Sequence, residues 1–439
     1  MTRPHTLGPL LGSALYVGAL LGPGVLLVPA LAVQAAGAAS IVAWGALLVL
    51  SAPLAITFAA LGIRHPVSGG VTAYVREGLG ENAAAATGFW FLVAVLLGAP
   101  AVSMIGALYV VDLTGGGTTA AAPIGLAMFA TVLAANVLGL RVSSRFQFAL
   151  SGLLITVLVI AIGVALPSRA GDHWTPFAPH GFWAVGTAAN ILIWMFVGWE
   201  AVAQLVGDFR DPAHDLPRAM ALAFAVVTVV YVGLAVATIG VTAGTASHVP
   251  LADLVSVGFG RAGRDATAVV AVLLTMGTMN VYIGGTSKLF ASMAQEGALP
   301  AWFGGDAHRS IPRRPLLLIG CVGTVGLAGL LAGIGSTSTL VRGTSACFIA
   351  VYLASVLSAV RILDGRARSI AGFALVFVAL LAGFSRWYLL IPLVAACAAV
   401  ALRSSGRWTR RASTSGSGRR ASTRPEALQP TPSSGDTST

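Results

Sequence analysis

A single carboxylate, Glu200, sits in a strongly apolar stretch, and Asn190, Trp194, Met195, Phe196, Gly198 and Trp199 crowd the two turns before it. A carboxylate in such a setting is expensive to desolvate, so it is retained either to carry a proton or to be hydrogen-bonded as a structural linchpin. The run Phe196-Val197-Gly198 ahead of it favours unwinding, and unwound carbonyls attract an ammonium group. A second sequence of the same kind is Gly22-Pro23-Gly24 near the N-terminus. Pro23 removes an amide donor and collides with the preceding turn, while the glycines admit backbone angles closed to other residues. The amides of Gly24 and Val25 would then head a half-helix whose positive end favours a carboxylate, unless the motif is only a kink.

These motifs need a frame that excludes water, and the composition supplies one. Of 439 residues, 56% are hydrophobic and only 9% charged, with a mean hydropathy of +0.87. This is the composition of a polytopic membrane protein. Stretches long enough to cross roughly 30 Å of hydrocarbon are predicted near 8–34, 40–62, 84–112, 120–140, 146–167, 183–206, 217–243, 265–290, 315–335, 343–363, 369–384 and 386–402. The last two are short and separated only near Ser385-Arg386. The two breaks fall in the first and sixth spans. Inside a bilayer, non-helical backbone is tolerated only where it faces protein or a cavity, so two such breaks predict a central site for a small solute. Opposite dipole ends at the two breaks suit a zwitterion.

Basic residues set an orientation. With the N-terminus inside, Arg3, Arg64, Arg76, Arg141, Arg145, Arg210, Arg218, Lys288, Arg309, Arg313, Arg314, Arg361, Arg366 and Arg368 share one side with the C-terminal arginines. Only Arg169, Arg261, Arg264, Arg342 and Arg386 fall opposite. This asymmetry predicts both termini in the cytoplasm. It accounts for much of the net charge of +11 without a nucleic-acid partner. The first span is too long for a signal peptide. Cys321, Cys347 and Cys397 fall in predicted spans and read as small packing residues, with no metal-binding spacing. Residues 404–439 turn to Ser, Thr, Arg, Gly and Pro and read as a disordered cytoplasmic tail. Its two Arg-Arg-Ala-Ser tetrads suit a kinase or anionic headgroups, or are plain low complexity.

The run Gly18-Ala19-Leu20-Leu21-Gly22-Pro23-Gly24-Val25 with Pro29 resembles the first helix of the amino acid–polyamine–organocation (APC) superfamily. His65-Pro66-Val67-Ser68-Gly69-Gly70 with Tyr74 resembles the loop after its second helix. Phe196-Val197-Gly198-Trp199-Glu200, followed by Gly207-Asp208-Phe209-Arg210-Asp211-Pro212 and Asp215-Leu216-Pro217-Arg218-Ala219, is similar to its sixth helix and the next loop. Ser287-Lys288-Leu289-Phe290 through Gln295-Glu296-Gly297-Ala298-Leu299-Pro300 is similar to the end of its eighth. The resemblance covers most of the chain in the right order. It implies an all-α fold of twelve transmembrane helices, with inverted five-helix repeats over about 8–167 and 183–363, discontinuous helices one and six, and helices eleven and twelve over 369–402. An amino acid would lie between helices one and six. The Gly-Pro-Gly and Gly-Trp-Glu motifs look most like exporters of L-methionine and branched-chain amino acids. Some relatives carry a lysine in the fifth helix; residues 146–167 hold none.

The expected protein is therefore not an enzyme but a secondary amino acid transporter of the bacterial plasma membrane. Export of methionine, leucine, isoleucine and valine by alternating access is the first expectation. Neutral amino acid uptake or exchange is the alternative, and a non-transporting membrane sensor a rival of another class. No cofactor is expected; a proton gradient is one way to drive it. The partners expected are the amino acid and the lipid bilayer, with no nucleic acid, the chain being a monomer or homodimer. Gly22, Pro23, Gly24, Val25, Trp194, Phe196, Val197, Gly198, Met104 and Met276 are the expected substrate-binding residues, and Glu200, Trp199 and Tyr74 the proton-coupling or gating ones. Ser103, Met279, Asn280 and Phe348 are further lining candidates. With no second deep acid beyond Asp112, at the outer end of the third span, a neutral side chain is favoured over a cationic one.

Overall fold

The computed structural model describes residues 7–64, 70–140, 144–167, 171–201, 206, 209–242, 247–295, 297, 299–304 and 311–413. The motif at 65–69, Gly207-Asp208, Glu296, Ala298 and the tail beyond Ser413 lie outside them. Among the described residues the chain is built of helices, with no strand beyond an isolated bridge between Leu7 and Phe209. Among the described residues, ten helices are long and apolar enough to cross a membrane. Two shorter apolar helices, Pro9–Leu20 and Trp183–Phe196, belong to the interrupted spans.

In chain order the helices are α1 (Pro9–Leu20), α2 (Val28–Ala36), α3 (Ser40–Arg64), α4 (Gly70–Leu79), α5 (Glu81–Thr114), α6 (Ala121–Val137), α7 (Ser144–Ala165) and α8 (Trp183–Leu192). They continue with α9 (Pro212–Thr242), α10 (Pro250–Gln295), α11 (Arg313–Leu331), α12 (Thr337–Ile362), α13 (Gly365–Gly383) and α14 (Leu390–Ser413). The first two spans meet at the turn Gly37–Ala39, where Gly37 has φ 63°. A helical segment from Pro250 precedes the eighth span, and Gly260, with φ 55°, is the non-helical kink between the two. The last helix runs on to Ser413, nine residues past the expected start of the tail at Ser404. That stretch is rich in Arg and Ser and poor in Gly and Pro, which does not stop a helix already propagating.

Packing divides the helices into two layers. In the apolar window of α5, 78% of residues are buried, against 22% in α13 and in α14. The outer helices instead turn Val229, Val325, Leu380 and Val394 outward, an apolar belt that a soluble monomer does not carry. Cys347 packs inside as expected, whereas Cys321 and Cys397 face outward. The inner layer of α3, α5 and α12 encloses both interrupted spans, and there the site is built.

Candidate functional site

The first break follows its sequence closely. Leu21 closes α1 by donating to the Val17 carbonyl (2.8 Å), Gly22 is extended, and Pro23–Leu26 form one 3-10 turn before α2. One expectation changes here: the Val25 amide is occupied by the Gly22 carbonyl at 3.3 Å, because the chain tightens into a 3-10 turn instead of opening fully. Val25 is buried in the core, 1% exposed, and does not line the cavity between the breaks.

The sixth span breaks more sharply. The 3-10 turn Ile193–Phe196 ends in an extended Val197, Gly198 adopts φ 141°, and Trp199–Ala201 start a second turn. A Cβ at Gly198 would stand 3.1 Å from the Ala19 carbonyl oxygen, and one at Gly24 would stand 3.2 Å from Met195 Cγ. The two breaks are in direct contact, and glycine permits it.

Three tyrosines that the sequence did not single out satisfy the exposed backbone. Tyr109 of α5 donates to the Leu26 carbonyl at 2.8 Å. The Tyr231 hydroxyl, on α9, lies 2.9 Å from the Leu20 carbonyl and 2.6 Å from that of Met195, so one proton is shared between the two breaks. Tyr352 of α12 donates to Glu200 Oε2 at 2.7 Å, with the Phe196 carbonyl at 3.2 Å. Tyrosine is otherwise an ordinary core residue, and nothing local in the sequence marks these three. Inside an apolar core an unmatched carbonyl or amide costs about 1–3 kcal/mol, so these hydroxyls keep the broken geometry stable.

Glu200 belongs to the same scaffold. Its Oε2 also accepts from the Gly198 amide at 2.9 Å, and the residue is 9% exposed. It caps the backbone immediately after the break and does not line the cavity.

Between the breaks lies a cavity lined by residues of both. Gly22, Pro23, Gly24, Trp194 and Val197 line it, as do Met279 and Phe348. The other sequence candidates do not. Phe196 turns behind the break against Trp44 (ring centroids 6.0 Å) and Tyr231 (5.0 Å). Gly198 backs onto α1. Met104 packs toward Gly125 on α6, and Met276 against the apolar core. Ser103 donates to the Gly125 carbonyl at 2.5 Å, and Asn280 to that of Leu140 at 3.2 Å. Trp199 is buried against Phe224, and Tyr74 is buried within α4, neither of them on the cavity wall. The wall also uses Ala94, Val95, Gly98, Ala99 and Val102 of α5, Tyr282 of α10 and Thr344 of α12. An apolar helix buried on all sides gives no signal of which face meets a cavity. Among the lining residues there is no Asp, Glu, His, Lys or Arg. Asp112, the other deep acid, is engaged by Arg264, which pairs with it through Nε at 2.8 Å and with Asp253 through Nη1 at 2.5 Å.

Apolar helices enclosing a cavity between two interrupted spans define a membrane carrier of the broken-helix kind. The chain belongs to the amino acid permease family, whose pattern matches residues 7–406. It is 34% identical to the uncharacterized amino acid permease YecA of Bacillus subtilis over 88% of this chain and 92% of that protein. It is 31% identical to the L-methionine/branched-chain amino acid exporter YjeH of Escherichia coli, over 88% of this chain and 94% of that protein. The branched-chain amino acid permease BcaP of Bacillus subtilis is 27% identical over 78% of each chain. The protein is thus an all-α, multi-pass amino acid permease of the APC superfamily and not an enzyme.

Proposed function

We propose that this permease exports neutral apolar amino acids, methionine and the branched-chain set, across the bacterial plasma membrane by alternating access. One observation carries the proposal: a cavity whose wall combines the broken backbone with Trp194, Met279 and Phe348 and, among the described residues, no charged side chain. A zwitterion needs partners for its own two charges, and peptide dipoles at Gly22–Gly24 and Met195–Val197 offer them. A cationic side chain would meet no counter-charge there, and burying an unpaired ammonium is prohibitive. The likeness to YjeH favours export of this substrate class.

In this proposal Glu200 is the proton-linked group, titrating against the Gly198 amide and the Tyr352 hydroxyl so that its charge alters the sixth break. Both termini face the cytoplasm, and residues 8–167 and 183–363 are inverted repeats, each opening with a broken helix. The test is efflux from proteoliposomes loaded with labelled methionine, leucine and arginine, with and without a pH gradient. Methionine and leucine should leave faster than arginine. Arginine preference overturns the substrate class, movement of none overturns transport itself, and full pH dependence in Glu200→Gln overturns the role of Glu200.

A further inference from the structure

We infer that Gly98 of α5 and Thr344 of α12 together set the longest side chain the cavity accepts. This rests on the amino acid transport proposed above and goes on to name its specificity-determining pair. Beside the broken backbone, α5 and α12 supply Ala94, Gly98, Thr344 and Phe348 to the same cavity. A substrate held by its charged ends at the breaks has this apolar lining for its side chain.

The wall is apolar despite its threonine. The Thr344 hydroxyl donates to the Leu340 carbonyl of its own helix at 2.9 Å, which uses its only proton. Its methyl and hydroxyl both border Gly98: a Cβ at Gly98 would lie 3.4 Å from Thr344 Cγ2 and 3.6 Å from Oγ1. These are ordinary contact distances, so an alanine fits without displacing backbone, and its methyl takes space from the cavity. The wall also cannot retreat. Next to Thr344, a Cβ at Gly343 would already stand 3.0 Å from Leu97 Cδ1 and 3.2 Å from Ile391 Cδ1. Trp90 ties α5 to α14 through the Pro392 carbonyl at 2.7 Å, and Phe348 stacks edge-on against Phe91 at 5.9 Å. A methylene gained or lost at a rigid apolar wall changes discrimination by roughly 10–200-fold.

The experiment compares kcat/KM for methionine and for alanine in proteoliposomes of wild type, Gly98→Ala, Thr344→Ser and the double variant. Gly98→Ala should lower the methionine-to-alanine ratio by about tenfold or more. Thr344→Ser, which removes the methyl and keeps the hydroxyl bond, should raise the ratio for longer substrates such as phenylalanine. The double variant should return the methionine ratio toward wild type, which a merely destabilised protein would not do. Equal losses for both substrates in Gly98→Ala, or an unchanged ratio, overturn the inference while leaving amino acid transport intact. A wild type that moves neither substrate overturns the transport proposal on which it rests.

Discussion

The two breaks solve the same problem by different means. Gly22-Pro23-Gly24 largely repairs itself: the Gly22 carbonyl takes the Val25 amide, the Gly24 carbonyl takes that of Leu27, and Tyr109 covers Leu26. The sixth span departs further from helical geometry, with Gly198 at φ 141°, and besides its own Glu200 is held from other helices by Tyr352 and Tyr231. A proline and two glycines in series can define a break within one segment. A glycine flanked by bulky residues cannot, and its geometry must be imposed by neighbours. The first break is thus a local property of the chain, and the sixth a property of the bundle.

Substitutions at the glycines separate the two most strongly. Gly198→Ala should cost about 1–3 kcal/mol of backbone strain and more from its approach to the Ala19 carbonyl, with loss of transport and a lower unfolding temperature in detergent. Gly22, at φ −91° with nothing within 4 Å of an added Cβ, should accept alanine with little change in unfolding temperature. Equal damage at both positions would break the contrast.

Next in size is the cap on the sixth break. Glu200→Leu leaves the Gly198 amide only the longer bond to the Tyr352 hydroxyl at 3.3 Å and should destabilise by about 1–3 kcal/mol, whereas Glu200→Gln retains a carbonyl and should lose less. Thermal unfolding of the two variants side by side measures this. If they unfold alike, the carboxylate is not acting as a cap.

Removing single hydroxyls should have smaller effects. Tyr231→Phe and Tyr352→Phe should each cost about 0.5–1.5 kcal/mol. Tyr109→Phe should fall at the low end, because the first break is otherwise closed by its own backbone. Tyr109→Phe proving the most harmful of the three would reverse the assignment of local and imposed geometry.

The smallest effect belongs outside the bundle. Asp211 accepts from His214 at 2.8 Å just before α9, which holds its carboxyl below the usual carboxylate range. A depressed folded value means the contribution is present above the unfolded pKa and is lost as pH falls through the folded one. The pair is solvent-exposed, so screening leaves it little weight. His214→Ala should lower the unfolding temperature only slightly at neutral pH, with the difference vanishing in acid, read from melting curves across pH.

Much of this was legible in the residues. Gly22-Pro23-Gly24 and the run through Glu200 located both breaks, since proline chemistry and the cost of a buried carboxylate are properties of the residues themselves. Trp194 and Val197 were placed on the cavity by being next to a break. Phe196 and Gly198, equally close in sequence, turned the other way, because past a break the helical period no longer predicts where a side chain points. Met104 and Met276 lie off this cavity for a related reason: in helices apolar on every face, composition does not single out the inward face.

The sequence alone determined a membrane-embedded all-α protein and the two positions where its spans must open, because hydropathy and backbone restriction are local and additive along the chain. Only the tertiary structure decided which alanines, glycines and tyrosines surround those openings. Their contribution comes from proximity between helices far apart in the chain, as where Tyr231 meets the carbonyls of Leu20 and Met195, and residue type alone does not encode such proximity.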